Sequence, residues 1–137
     1  MDFLPNEVLM SLADVSKTYT MGEVKVEALK PTSLEIYAGE LLVILGPSGS
    51  GKSTLLNLIG GIDKPTTGQI VFGGQSLTNG SEKDLTRYRR NEVGFVFQFY
   101  NLIADLTAAE NVALAAELVE NPQVVDDVLQ DVGLLER

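Results

Sequence analysis

Apolar positions change their period several times along this chain, and the changes divide it into elements. From Val8 to Tyr19 and from Val24 to Leu29, β-branched and aliphatic residues flank Met21-Gly22, the pattern of two antiparallel strands joined by a turn. A third strand is predicted over Thr32 to Tyr37, closed by Ala38-Gly39-Glu40. Leu41 to Leu45 then runs apolar without alternation, which predicts a strand buried on both faces. At Lys52 the period becomes helical, with Leu55, Leu56, Leu58 and Ile59 ahead of a Gly60-Gly61 stop. A turn cluster, Asp63 to Gly68, leads to a short strand over Gln69 to Phe72 and a second glycine pair, Gly73-Gly74. A polar helix over Glu82 to Arg90 and a short apolar strand over Val93 to Phe97 follow, and the latter runs straight into Gln98.

Beyond Gln98 the texture is helical. Thr107-Ala108-Ala109-Glu110 has the spelling of a capping box, with Val112, Ala115, Ala116 and Val119 following at helical spacing. Asn121-Pro122 is expected to open a last helix that carries Val125, Val128, Leu129 and Val132 on one face and stops at Gly133. The expected organisation is an α/β fold in which an antiparallel β portion and a strand-loop-helix core give way to the start of a helical segment. No internal repeat or low-complexity tract interrupts it.

The chemistry sits where the apolar strand over Leu41 to Leu45 meets the helix. Gly46-Pro47-Ser48-Gly49-Ser50-Gly51-Lys52-Ser53 fills the pattern G-x-x-x-x-G-K-[ST], and its flanks supply the strand before and the helix after. Glycines let the backbone curl with positive φ and bring its N–H groups close to phosphate oxygens. The helix start adds unpaired N–H groups and a positive dipole end. Lys52 suits the β- and γ-phosphates, the Ser53 hydroxyl suits Mg²⁺, and Thr54 adds a further donor.

Composition narrows this picture. The 137 residues carry a formal charge of −9, which argues against the basic surface that nucleic acids require. With neither cysteine nor histidine, thiolate chemistry, disulfides and the commonest nitrogen ligands for transition metals are excluded, and Mg²⁺ remains as the metal. The N-terminus lacks a basic region followed by an apolar run, and the apolar stretches are too short to span a bilayer. A soluble, cytoplasmic chain is expected.

The order Val15-Ser16-Lys17-Thr18-Tyr19, Val26-Glu27-Ala28-Leu29, Ser33-Leu34-Glu35-Ile36 and Gly39-Glu40 ahead of the loop resembles the ATP-binding cassette (ABC) proteins of membrane transporters. So do Ile59 to Gly68, Arg89 to Gln98, and Asn101-Leu102-Ile103 to Asn111. The likeness is to the lipoprotein-releasing, macrolide-exporting and cell-division group, and it runs from Leu9 onward. It implies an ATPase subunit that couples ATP binding and hydrolysis to export or extraction through a membrane-spanning partner, acting as a cassette dimer on the inner face of the membrane. It also implies site residues: Tyr19 stacks on adenine; Gly46, Pro47, Ser48, Gly49, Ser50, Gly51, Lys52, Ser53 and Thr54 form the phosphate loop; Ser53 and Gln98 hold Mg²⁺, and Gln98 helps place the attacking water. In these terms residues 8–97 form the β subdomain and phosphate-loop core of one ATPase domain, and residues 98–137 the glutamine loop and the start of the helical subdomain.

The family pattern also contains a Leu-Ser-Gly-Gly-Gln signature, an apolar strand ending in Asp-Glu, and a histidine, none of which occurs in these residues. Gly73-Gly74-Gln75 follows Phe72 and a strand, and Asp126-Asp127 lies in a helical period, so neither substitutes. The 137 residues alone are therefore expected to bind nucleotide weakly at most, to hydrolyse it negligibly, and to leave an exposed edge along Leu41 to Leu45. Two other readings share the loop. A nucleotide kinase of the guanylate type uses Gly-Pro-Ser-Gly-x-Gly-Lys-Ser, but there the chain starts near the loop and a basic cluster for the phosphate acceptor follows. A non-enzymatic nucleotide-binding or interaction module would bind without cutting.

Overall fold

The structure, a computed structural model, describes residues 4–136. The chain divides into two compact units, one up to Arg89 and the other from Arg90 onward. The first is built on an antiparallel sheet of four strands, in the order β2 (Val24–Tyr37), β1 (Val8–Met21), β3 (Thr67–Phe72) and β4 (Gln75–Ser76). Strand β1 (Val8–Met21) and strand β2 (Val24–Tyr37) form a long hairpin closed by Gly22-Glu23, with Met21 opposite Val24 and Tyr19 opposite Val26. The stretches predicted over Val24 to Leu29 and Thr32 to Tyr37 are thus one strand. Register shifts between Leu12 and Lys17 absorb the irregularity. They also break strict alternation, so that Met10 and Leu12 are buried two apart and Val15 three further on.

Strand β3 (Thr67–Phe72) pairs antiparallel with β1, and β4 (Gln75–Ser76) closes a hairpin on β3 across Gly73-Gly74. The buried side of this sheet contributes Met10, Leu12, Val15, Leu29 and Ile70, and the helices contribute Leu55, Leu58, Leu85 and Tyr88. Helix α1 (Lys52–Ile59) ends in a left-handed Gly61 (φ 67°), with Gly61 N–H donating to Leu58 O and Ile62 N–H to Asn57 O. These two bonds satisfy the last carbonyls of the helix and redirect the chain toward Asp63. Helix α2 (Glu82–Glu92) reaches this terminus: the Tyr88 hydroxyl donates to Ile59 O (2.8 Å), and the Arg89 guanidinium to Gly61 O (2.6 Å). The Tyr88 ring meets Phe72 edge-on at 5.1 Å.

Two predicted strands are not strands. Leu41 to Leu45 and Val93 to Phe97 have no ladder among the described residues. Leu41 and Leu45 are 91% and 86% exposed, and Val96 is fully so, where burial on both faces was expected of Leu41 to Leu45. An apolar run becomes a strand only when a neighbour accepts and donates along its edge. Among the described residues neither run has such a neighbour.

In the second unit, helix α3 (Ala108–Ala116) opens with the predicted capping box. It stops short of Val119, which lies in the turns after it. Helix α4 (Val125–Asp131) begins three residues later than Asn121-Pro122 suggests. Val124 is the cap, in extended conformation at φ −65° and ψ 128°, so Pro122 belongs to the approach and not to the first turn. Its end matches the expectation, with Gly133 N–H donating to Gln130 O and Leu134 N–H to Leu129 O. Among the described residues no helix is long and apolar enough to cross a membrane.

Candidate phosphate-binding site

The glycine-rich loop turns sharply between Leu45 and α1. Ser50 N–H donates to Pro47 O (3.3 Å), and Gly49 and Gly51 take φ values of 78° and 90°. Gly51 is the N-cap of α1, and no side chain caps the helix there. The first intrahelical bond joins Leu55 N–H to Gly51 O (2.8 Å), so the amides of Lys52, Ser53 and Thr54 precede it and need partners from elsewhere. A Cβ on Gly51 would stand 2.7 Å from Ala28 O and 3.1 Å from Leu29 Cδ1. The loop therefore presses its backbone against β2, and only a residue without a side chain permits that approach.

Lys52 closes the loop from inside. Its ammonium donates to Gly46 O (2.8 Å) and Pro47 O (2.7 Å), with Ser50 Oγ at 3.5 Å. Among the described residues no carboxylate pairs with it. The result is a bound but uncompensated positive charge, beside unpaired amides at the positive end of a helix, on a chain of net charge −9. That combination suits an anion with several oxygens. Ser53 is exposed and Thr54 half-buried within the same first turn.

Tyr19 lies near the end of β1 and is 39% exposed as a residue. Its hydroxyl donates to Asp63 Oδ2 (2.8 Å), and the Lys17 ammonium stands over the ring at 4.9 Å from its centroid. Lys17 also donates to Asp63 Oδ1 (2.6 Å) and Lys64 O (2.8 Å), and Asp63 Oδ1 accepts the Lys64 N–H as well (2.7 Å). Burial works to raise the Asp63 carboxyl. The hydrogen bonds from Lys17, Tyr19 and Lys64 and the Lys17 charge outweigh it and hold the group below the usual carboxylate range. The same hydrogen bond, helped by burial and the Asp63 charge, pushes the Tyr19 phenol up.

Lys17 and Asp63 were not singled out in the sequence. They lie 46 positions apart, and Asp63 reads there as part of a turn cluster; no periodicity connects such a pair. Gln98 is exposed and lies in the second unit. No group of three or more acidic residues able to hold a metal occurs among the described residues. A Mg²⁺ ion would accordingly draw on hydroxyl, amide and phosphate oxygens, of which Ser53 has the right chemistry to supply one.

The profile of the ABC transporter family matches residues 29–137. An uncharacterized ABC transporter ATP-binding protein of Thermotoga maritima is 44% identical over 134 residues, which are 94% of this chain and 57% of the relative. The macrolide export ATP-binding/permease protein of Wolinella succinogenes is 42% identical over 134 residues, 94% of this chain and 21% of its own length. Among solved structures, a dimeric ATP-binding cassette of Methanocaldococcus jannaschii, in a post-hydrolysis state bound to ADP and Pi, matches with a TM-score of 0.76 at 44% identity. That match covers 86% of this chain and 51% of the solved one. The chain spans about half the length of the first cassette relatives it matches.

Proposed function

This chain belongs to the ABC transporter family, and we propose that its residues form the ATP-holding part of a transport ATPase that drives export or extraction through a membrane-spanning partner. One observation carries the reading: the Lys52 ammonium, held by Gly46 O and Pro47 O without a carboxylate partner among the described residues, at the uncapped start of α1. A triphosphate supplies the missing charge. Its oxygens take the free amides of the first turn, and Lys52 exchanges loop carbonyls for β- and γ-phosphate oxygens. Gly46, Pro47, Ser48, Gly49, Ser50 and Gly51 shape the cradle, Ser53 ligates Mg²⁺, Thr54 donates to a neighbouring phosphate, and Tyr19 offers its ring to adenine.

When bound, Mg²⁺ would supply charge neutralisation at the phosphates. Ser53 and Gln98 would hold it, and Gln98 would help place the attacking water. In this reading residues 8–97 are the nucleotide-holding portion and residues 98–137 the start of the part that communicates with the membrane subunit, at the inner face of the membrane and in a cassette dimer. The 137 residues contain no strand ending in Asp-Glu and no Leu-Ser-Gly-Gly-Gln. By themselves they bind ATP and turn it over negligibly, because phosphoryl transfer relies on positioned charge that those motifs supply.

Titration of the purified chain with Mg-ATP by calorimetry tests this. Lys52→Ala should weaken binding by about 10- to 100-fold, the value of a charge-assisted contact to phosphate, and phosphate release should stay near background in both proteins. Equal affinity of the two proteins would overturn the site. Sustained Mg-dependent release that Lys52→Ala abolishes would instead overturn the account of a binding-only chain.

A further inference from the structure

The contacts around Tyr19 are more than a ring at a strand end needs. Its hydroxyl is fixed by Asp63 Oδ2 at 2.8 Å, and one face is covered by the Lys17 ammonium at 4.9 Å. Asp63 is itself fixed by two further donors, Lys17 Nζ and Lys64 N–H, at 2.6 and 2.7 Å. Lys64 is tethered in turn, its ammonium donating to Gly80 O and pairing with Glu82, both at 3.1 Å. The ring therefore has a pinned edge, a face taken by a cation, and an opposite face, within a residue still 39% exposed.

We infer that Asp63 and Lys17 are positioning residues for a purine base: they lock the Tyr19 ring so that the face opposite Lys17 is a ready stacking platform. This rests on the reading of Tyr19 as the adenine contact. Stacking on a free side chain costs the freedom of that side chain, and a ring already held pays none of it at binding. The position of Asp63 adds a geometric reason. It follows the left-handed Gly61 at the C-terminal end of α1, whose N-terminal end opens the phosphate cradle. Eight helical residues, roughly 12 Å of helix, thus tie the residue that orients the base contact to the loop that takes the phosphates. The device acts on the base and not on the phosphate chain, so it predicts selectivity: its loss should be felt by ATP and not by a bare polyphosphate.

The test measures binding of ATP and of inorganic tripolyphosphate to the full chain, and quenching of the fluorescent base analogue etheno-ATP, in Tyr19→Phe, Asp63→Ala, their double variant and Tyr19→Ala. Tyr19→Phe keeps the ring and removes only its anchor, so it separates locking from stacking. Thermal melts identify any variant that fails to fold. Tyr19→Phe and Asp63→Ala should each weaken ATP by about three- to tenfold, reduce etheno-ATP quenching, and leave tripolyphosphate within twofold of the parent. The double variant should be no worse than Asp63→Ala alone, because Tyr19→Phe removes a bond that Asp63→Ala has already removed. If Tyr19→Ala loses ATP affinity while Tyr19→Phe and Asp63→Ala retain it, the ring stacks without a lock and the inference is overturned, the adenine reading standing. If Tyr19→Ala binds ATP as the parent does, that reading falls and the inference with it. Equal losses of ATP and tripolyphosphate would mean that Asp63 serves the loop fold alone, which also overturns it.

Discussion

Gly51 concentrates two demands in one residue. Its φ of 90° is a region where a Cβ is costly, and the backbone at that point packs on β2 with Ala28 O in the way. Gly22 makes only the first demand: its φ is 61°, and nothing lies within 4 Å of where a Cβ would be. Gly22→Ala should therefore cost about 1 kcal/mol, the ordinary left-handed penalty, whereas Gly51→Ala should cost about 1–3 kcal/mol and displace the loop. Urea denaturation of the two variants, paired with ATP titration, separates conformation from contact. Gly22→Ala should bind ATP like the parent, and Gly51→Ala should bind it much less well. The sharp glycine turn into α1 was legible in the sequence because its residues are contiguous and each fixed position answers one physical need. The Lys17–Asp63–Tyr19 set was not, since its members meet only after β1 and the end of α1 have been brought together.

At the scale of elements, local signals held where an element closes its own hydrogen bonds. Helix α3 is the clearest instance. Thr107 Oγ1 accepts from Glu110 N–H (3.2 Å), and Glu110 Oε2 accepts from both Thr107 N–H and its hydroxyl (2.8 Å each). The Thr107 backbone and side-chain donors hold the Glu110 carboxyl below its usual range. Thr107→Ala should lower the stability of the second unit by about 1 kcal/mol, read as reduced helicity and an earlier thermal transition, with Thr107→Ser close to the parent. Among the described residues Leu41 to Leu45 close no such bonds of their own. There and at Val93 to Phe97 the apolar pattern predicts a strand, but a strand is half of a pair, and the pairing partner is not a property of the run itself. Composition indicates what such a run prefers beside it. Among the described residues it has no such neighbour.

For the whole molecule, long-range repulsion and short-range apolar attraction oppose each other. A formal charge of −9 keeps copies apart at low ionic strength, where screening reaches roughly 30 Å, and that protection shrinks to roughly 3 Å at 1 M salt. Against it stand exposed apolar side chains: Leu41, Val43 and Leu45 beside backbone groups without ladder partners in the first unit, and Val96, Phe99 and Tyr100 in the second. Apolar strand-like segments with open edges are templates for association. Self-association of the 137-residue chain should therefore rise with added salt, opposite to what charge-driven association would do. The double change Leu41→Lys and Leu45→Lys should suppress it by placing charge on the open edge. Sedimentation velocity at 10 mM and 1 M NaCl reads both effects. A parent chain that stays monomeric at high salt, or a lysine variant that associates as the parent does, would show that the edge at Leu41 to Leu45 is not the adhesive surface.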